Sequence, residues 1–394
     1  MSDKFSELSI NLTKKILKKD KNKEGIFFTP IKTIKYNIDI IKKYKKDIKS
    51  ILEPSCGSCE YILQINKMLD NCIITGIEKN KIIFNNIKDI SKNNISLIND
   101  DFLKIKINKK YDLVVGNPPY FVIKKKEVNQ KYYDYFEGRP NIFILFIIKS
   151  LEILNEGGIL SFILPKNFLN SLYYNKTRQY IYKYYKILEI INCDDNYIET
   201  KQETIIFVVQ NKYENNYNEQ YTFKVDKYII FGPKENISKI KLLTQNCTYL
   251  NILNLKCQVG KIVWNQEKEK LTDDNTKTRL IYSTDIISNK LEMKKYINIQ
   301  KKNYIDKVGD NKCRLIINRG YGKGAYKFNY CIVDVNFNYV LENHIISIEG
   351  CNKKMYEKII KSFEDKRTKQ FIQNYFGNNA INTTELNYIL PIFI

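Results

Sequence analysis

Four consecutive residues, Asn117-Pro118-Pro119-Tyr120, follow the apolar run Tyr111–Val115 and Gly116, which reads as a buried strand. Two successive prolines cannot continue a strand ladder, so the backbone at this point is held rigid. A rigid turn at a strand end directs the Asn117 side-chain oxygen and the Pro118 carbonyl away from the sheet edge. Together they can accept both protons of a planar exocyclic amine. The lone pair of such an amine is delocalised into its ring, and hydrogen bonds to both N–H groups shift the nitrogen toward tetrahedral, nucleophilic character. Tyr120 adds a flat face on which a base can stack. The same tetrapeptide is an ordinary turn in many proteins, so its meaning depends on what precedes it.

What precedes it is a second constellation. The run Ile51-Leu52-Glu53-Pro54-Ser55-Cys56-Gly57-Ser58 is an apolar strand ending in a carboxylate, then a turn containing glycine, then a helix start. In an open α/β sheet the crevice beyond a strand's carboxyl end is where a nucleoside cofactor sits. Gly57 permits close backbone approach to a ligand. Roughly 25 residues later the next strand closes on Glu78, a spacing that suits a carboxylate accepting from ribose hydroxyls. The third closes on Asn99-Asp100-Asp101, which sets another acceptor on the same edge for adenine amino protons. The loop lacks the three-glycine phosphate fingerprint, and its acidic residues would repel a pyrophosphate. A cofactor with a ribose and a cationic sulfonium fits better than a dinucleotide.

These turns need a scaffold. Seven apolar runs, at Ser50–Pro54, Cys72–Glu78, Ile95–Asp101, Tyr111–Gly116, Gly158–Leu164, Leu188–Asn192 and Thr204–Gln210, alternate with helical stretches. That pattern predicts an α/β fold, an open seven-stranded sheet with helices on both faces. Phe5, Leu8, Leu12 and Ile16 share one helical face, which predicts an N-terminal amphipathic helix within residues 1–24. Beyond Asn211 the texture turns to strand-like runs at Cys257–Trp264, Arg279–Ser283, Cys313–Asn318, Asn329–Val335 and Tyr339–Ile348. A helix carrying Met355, Ile359, Phe363, Phe371 and Tyr375 on one face follows. The reading is a catalytic domain at 25–215 and a mixed α+β domain at 216–394, with the boundary between about Asn211 and Asn251.

Composition narrows the classes. With 65 basic and 43 acidic residues the net charge is +22, which suits a polyanionic partner, although AT-rich coding bias would also enrich lysine. The first thirty residues alternate lysine with isolated apolar positions, unlike a secretory signal, and Ile142–Ile148 is too short to span a membrane. Nine scattered cysteines point to a reducing, cytoplasmic setting, in a bacterium or in the host cell of a virus. The only histidine, His344, leaves no material for a histidine-activated nucleophile. Cys56 and Cys59 form a CxxC pair with no second pair, so no metal is expected. No cysteine follows a proline, which sets aside cytosine-C5 chemistry.

The chain resembles the adenine-specific DNA methyltransferases of restriction–modification systems, in the group whose cofactor motifs come first and whose target-recognition domain comes last. Phe27-Phe28-Thr29-Pro30 is similar to that group's N-terminal motif, which puts Thr29 at the methionine end of the cofactor. Glu53-Pro54-Ser55-Cys56-Gly57, Glu78, Asp101 and Asn117–Tyr120 match the motifs that follow. Asn141–Phe146, Gly157-Gly158 and Pro165-Lys166-Asn167-Phe168 continue the match in order, with Phe146 among the cofactor contacts. Tyr197 falls where the group places a second aromatic wall for an extruded base. The resemblance implies a Rossmann-like methyltransferase sheet, S-adenosyl-L-methionine as cofactor, double-stranded DNA as substrate and a separate restriction endonuclease as a possible partner. It covers residues 25–210 most closely. Where the group usually has a second glycine after Gly57, this chain has Cys59, a difference that bears on the loop's shape.

Lys124, Lys125 and Lys126, just past the rigid turn, are expected to face DNA. The loop Asn318-Arg319-Gly320-Tyr321-Gly322-Lys323-Gly324 either brings Arg319 and Lys323 to DNA or is a flexible hairpin tip. Two rivals remain. Asn-Pro-Pro-Tyr also serves methyltransferases of ribosomal RNA amino groups and of protein glutamine, and a non-catalytic DNA-binding relative would keep the fold.

Overall fold

The computed structural model describes residues 5–193, 202–214, 216–296, 300–320, 327–375 and 381–394. The chain divides into two compact units, Met1–Ser238 and Lys239–Ile394.

In the first unit, seven strands make one sheet: β1 (Ser50–Glu53), β2 (Ile73–Ile77), β3 (Ile95–Ile98), β4 (Tyr111–Gly116), β5 (Leu154–Pro165), β6 (Lys186–Cys193) and β7 (Thr204–Gln210). Their spatial order is β3-β2-β1-β4-β5-β7-β6. The first five run parallel, and β7 inserts antiparallel between β5 and β6. The strand order reverses between β1 and β4. A crevice therefore opens beyond the carboxyl ends of these two strands, where the chains leaving them diverge.

Both faces of the sheet are covered. On β4, Leu113 and Val115 enter one apolar cluster and Val114 the other, the alternation a pleated strand imposes. One face carries α1 (Glu7–Lys15), α2 (Lys18–Glu24), α3 (Ile31–Tyr44), α4 (Glu60–Met68) and α5 (Lys81–Ile87). Ile34, Ile38 and Ile41 of α3 recur at helical spacing and are fully buried there, each contributing on the order of 1.5–3 kcal/mol gross. The other face carries α6 (Ile142–Glu152) and α7 (Asn175–Tyr184). α6 is apolar almost all round, and residues Ile142 to Leu151 are all buried.

In the first unit two sequence expectations need correction. The N-terminal amphipathic helix is two helices, because Ile16 and Leu17 adopt extended backbone between them. This lets Ile16 turn into the core beside Leu12 while Leu17 faces solvent. Residues 216–238, read with the C-terminal half, pack on the first unit as the hairpin β8 (Thr222–Val225) and β9 (Tyr228–Phe231). Arg178, fully buried on α7, explains the attachment. Its Nη1 donates to the Phe168 and Ser171 carbonyls, both at 2.8 Å, and its Nε donates to Ile229 O at 2.5 Å. Asn175 adds donation to Lys227 O at 3.1 Å and accepts from Ile229 N at 2.9 Å.

The second unit is mixed α+β. Strands 256–259, 345–349, 314–318 and 330–333 form one antiparallel sheet, and 271–272, 304–305, 278–281 and 339–341 form a second, mixed sheet in which 278–281 and 339–341 run parallel. The expected run Tyr339–Ile348 divides in two around Glu342, a buried carboxylate that accepts from Ser283 N at 2.9 Å. The expected helix through Tyr375 also divides, into Lys353–Glu364 and Lys366–Tyr375. Asp365 leaves the helical region at ψ 136 and accepts from Arg367 N at 2.8 Å, so its side chain caps the second helix. No described helix is long and apolar enough to cross a membrane.

Candidate active site at the switch point of the sheet

The crevice between β1 and β4 holds a cleft of roughly 830 Å³, the solvent at its open mouth included. Its back is the loop after β1. Cys56 N donates to Ile77 O at 2.9 Å, which ties that loop to β2, and Cys59 N donates to Cys56 O at 2.7 Å to close a tight turn. Cys59 has φ 61 and ψ 20 and is fully buried. It thus takes the left-handed conformation that a glycine would take there, so the loop keeps its shape at the cost of local strain.

Glu78, at the end of β2, sits opposite. Its Oε2 accepts from Gly57 N at 2.9 Å and its Oε1 from Asn80 N at 2.6 Å. Burial pushes its carboxyl up to about 7, and the Asn80 and Gly57 amides pull partly against that rise. Asp101 follows β3; it accepts from Leu103 N at 3.0 Å and pairs with Lys79 at 3.0 Å. Phe102 and Phe146, with ring centroids 5.1 Å apart, supply apolar walls. A cleft with two carboxylates and aromatic walls suits a phosphate-free nucleoside.

Of the residues expected from sequence, Pro54, Ser55, Gly57, Glu78 and Asp101 line the cleft, as do Asn117, Pro119 and Phe146. Glu53 stands behind it, nearly fully buried. Burial raises its carboxyl well above the usual range, with Cys59 and Glu78 adding to the rise. Its Oε2 has no hydrogen-bond partner, the kind of orphaned acceptor a bound cation or ammonium group would satisfy.

The rigid turn closes the cleft on the β4 side. Asn117 Nδ2 donates to Phe27 O at 3.3 Å and to Thr29 Oγ1 at 3.1 Å, while Ser55 Oγ donates to Asn117 O at 3.4 Å. Because a carbonyl can only accept, Phe27 O fixes which end of the amide is nitrogen. The Tyr120 hydroxyl lies between Asn117 Oδ1 and Ile163 O, 2.7 Å from the latter. The Asn117 amide is therefore held at both ends. Pro118 is buried, and the Tyr120 ring packs edge-on against Phe143 at 6.0 Å. Thr29, expected at the cofactor, lies outside the lining and is buried at 6% exposure.

Lys124, Lys125 and Lys126 are exposed just beyond the turn, with Lys125 Nζ 4.6 Å from the Tyr133 ring centre. Arg319 is half-buried in the second unit, its N–H donating to His344 O at 2.7 Å. Tyr197 and Lys323 lie outside the described residues. Sequence reasoning missed Phe102, Asn80 and Glu24, all in the lining. Phe102 directly follows Asp101, and Asn80 carries a helix-capping signal, accepting from Ile82 N at 2.9 Å. Glu24 reaches the cleft through a 2.9 Å bond from Asn80 Nδ2, which no local pattern announces.

With this geometry in hand, the comparisons are specific. Residues 7–199 match the family model described as Eco57I restriction-modification methylase. The Type II methyltransferase M.CvrRI of Paramecium bursaria Chlorella virus XZ-6E is 29% identical, with 99% of each chain covered. The modification methylase CviBIII of Paramecium bursaria Chlorella virus NC1A is 27% identical, again over 99% of each chain. A release factor glutamine methyltransferase of Clostridium botulinum is 30% identical over 40% of this chain and 58% of its own.

Proposed function

We propose that the protein, whose residues 7–199 match the Eco57I restriction-modification methylase model, methylates the N6 amino group of adenine at a specific site in double-stranded DNA. The observation that carries this reading is the Asn117 amide, held at both ends beside a cleft shaped for a nucleoside. S-adenosyl-L-methionine is the cofactor, and when bound it supplies an electrophilic methyl group. Glu78 and Asp101 would offer acceptors to its ribose and adenine, Phe102 and Phe146 would give the adenine apolar walls, and Glu53 Oε2 would accept from a cationic partner.

The target adenine leaves the duplex, a step costing a few kcal/mol, and stacks on Tyr120, with Tyr197 as the second wall. Asn117 Oδ1 has two acceptor sites; the Tyr120 hydroxyl engages one and the target amine takes the other. The Pro118 carbonyl accepts the second amine proton. The amine held by Asn117 and Pro118 would lie in line with the methyl group that bound S-adenosyl-L-methionine would supply, and the nitrogen would give up one proton to water. Positioning and exclusion of water do most of the catalytic work, with no covalent enzyme intermediate. Lys124, Lys125 and Lys126 hold backbone phosphates, and the second unit, through Arg319 and Lys323, reads the sequence. A separate restriction endonuclease cutting the same site is the natural companion, and the cytoplasm the natural setting.

Of the rival readings, methylation of a glutamine amide or of an RNA amino group, the first is supported by the release factor enzyme. That likeness spans less than half of this chain, whereas the viral enzymes align along all of it. Sequencing DNA from expressing cells with detection of modified bases tests the proposal. N6-methyladenine in one fixed context is the expected result, and unmodified DNA beside methylated RNA or release factor would overturn it.

A further inference from the structure

We infer that Lys149 is a positioning residue for the adenine end of the cofactor: it holds the turn that carries Asp101 and Phe102. The inference rests on the reading that Asp101 accepts from the amino group of the cofactor's adenine. Lys149 is the one charged residue in the buried run Ile142–Leu151 of α6, at 8% exposure. Its Nζ donates to Phe102 O at 2.5 Å and to Ile105 O at 2.7 Å, and lies 5.0 Å from the centre of the Phe102 ring. A buried ammonium costs more than an apolar side chain of similar length, even when its protons are paired. Methionine would fill the same space, so the charge points to a duty beyond packing.

That duty lies in what the turn presents on its other side. Asp101 O accepts from Lys104 N and Ile105 N, both at 2.9 Å, and Asp101 Oδ1 accepts from Leu103 N at 3.0 Å. Residues 101–105 thus form one closed turn. Asp101 and Phe102 line the cleft, and Lys149 stands behind them, outside its lining. Phe146, one turn of α6 before Lys149, also lines the cleft and packs on the Phe102 ring, with centroids 5.1 Å apart. Apolar contact between rings is non-directional and would let the turn slide. The two hydrogen bonds from Lys149 fix its place. Burial pulls the pKa of this ammonium down, with Lys131 adding to the drop, while Asp101, Glu152 and Asp100 oppose it. Asp101 therefore attracts the cation that holds its own turn. The placement matters for selection, since adenine offers N–H donors where hypoxanthine offers a carbonyl oxygen, and an ionised carboxylate can only accept.

The test compares Lys149→Met, which keeps the stem and loses the donors, with Lys149→Gln, which keeps an N–H donor. Calorimetry gives Kd for S-adenosyl-L-homocysteine and for S-inosyl-L-homocysteine, whose ring has a keto oxygen in place of the amino group. Single-turnover methylation of DNA at saturating S-adenosyl-L-methionine is measured beside them. The unaltered chain should bind the adenosyl compound about tenfold or more tighter than the inosyl compound. Lys149→Met should weaken the adenosyl compound by about tenfold and the inosyl compound by less than about twofold, with the saturated rate within about twofold. Lys149→Gln should fall between that variant and the parent. Should Lys149→Met not fold, Lys149→Gln against the parent gives the same comparison. Equal weakening of both compounds would show that Lys149 only supports the fold. Unchanged affinities, with or without a lower saturated rate, would equally overturn the inference. These results leave the Asp101 reading standing, provided the unaltered chain prefers the adenosyl compound. If it shows no preference, that reading fails, and the inference with it. The calorimetric comparison does not depend on which acceptor the enzyme methylates.

Discussion

Gly25 closes α2 with φ +65, and a Cβ built there would lie 2.6 Å from Tyr120 N, 3.1 Å from Phe121 Cδ1 and 3.2 Å from Pro119 Cβ. Ordinary contact between heavy atoms begins near 3.5 Å, so Gly25→Ala overlaps the backbone of the rigid turn by about 1 Å. Two costs add. A non-glycine residue in the left-handed region costs about 1–2 kcal/mol, and forcing the contact apart costs about 1–3 kcal/mol more. Gly157→Ala is the matched control, since Gly157 has φ +67 with nothing within 4 Å of its built Cβ. Both variants share the backbone cost, and only Gly25→Ala has the collision. Urea unfolding should place Gly25→Ala about 1–3 kcal/mol below the control. The overlap must move either the turn or the segment holding Phe27 and Thr29, and both position Asn117. Single-turnover methylation by folded protein should therefore fall by about tenfold or more, because misplacement near 1 Å is worth about a hundredfold. Equal stability of the two variants together with an unchanged rate would refute the argument that this helix end buttresses the turn.

Asn117→Ala should lower single-turnover methylation to less than about a tenth while calorimetric cofactor affinity stays close to that of the parent; a faster variant removes Asn117 from the chemistry. Glu78 is held up at about 7 in the folded chain against 4.5 for a free carboxyl, so its stabilising share is present below pH 4.5 and is lost as pH rises through about 7. That share is on the order of 3 kcal/mol, and Glu78→Gln should remove it from the pH profile of unfolding, leaving the slopes from Glu385, also held near 7, and from Glu53, whose carboxyl burial raises as well. An identical profile would contradict the burial argument. Cys59→Gly and Cys59→Ala lose the same sulfur and differ in a buried methyl and in backbone freedom, and the second difference should make the glycine variant the more stable by up to about 1 kcal/mol in urea unfolding; alanine clearly above glycine would deny the strain at this position.

The seven strands were legible because parallel strands buried on both faces read as short continuous apolar runs, as Leu113-Val114-Val115 does. The antiparallel insertion of β7 was not, since its run Ile205–Val209 looks the same in either direction. Asn117, Glu78 and Asp101 could be placed because each stands at a strand end, where the fold brings them to one edge. The partners of the Asn117 amide come from Phe27, Thr29 and Tyr120, and the first two lie about ninety residues away, so no spacing announces them. Cys59 looked like a departure in sequence. Its backbone does what a glycine would do, which residue type alone does not reveal. The helix break at Asp365 was missed because apolar periodicity continues across it, from Phe363 to Phe371, and the break at Ile16 because the polar run Lys18–Glu24 after it is itself helical.

Arg178 bears on how such a chain can be cut and rejoined. A fragment ending at residue 215 would keep every strand of the large sheet yet remove the Ile229 carbonyl from a guanidinium that solvent does not reach. One lost hydrogen bond to a buried cation costs about 1.5–3 kcal/mol. The hairpin would also take with it the Phe231 ring stacked 5.9 Å from Phe207. A graft exchanging the C-terminal half between related enzymes therefore has its seam beyond Phe231, with the hairpin travelling as part of the catalytic half.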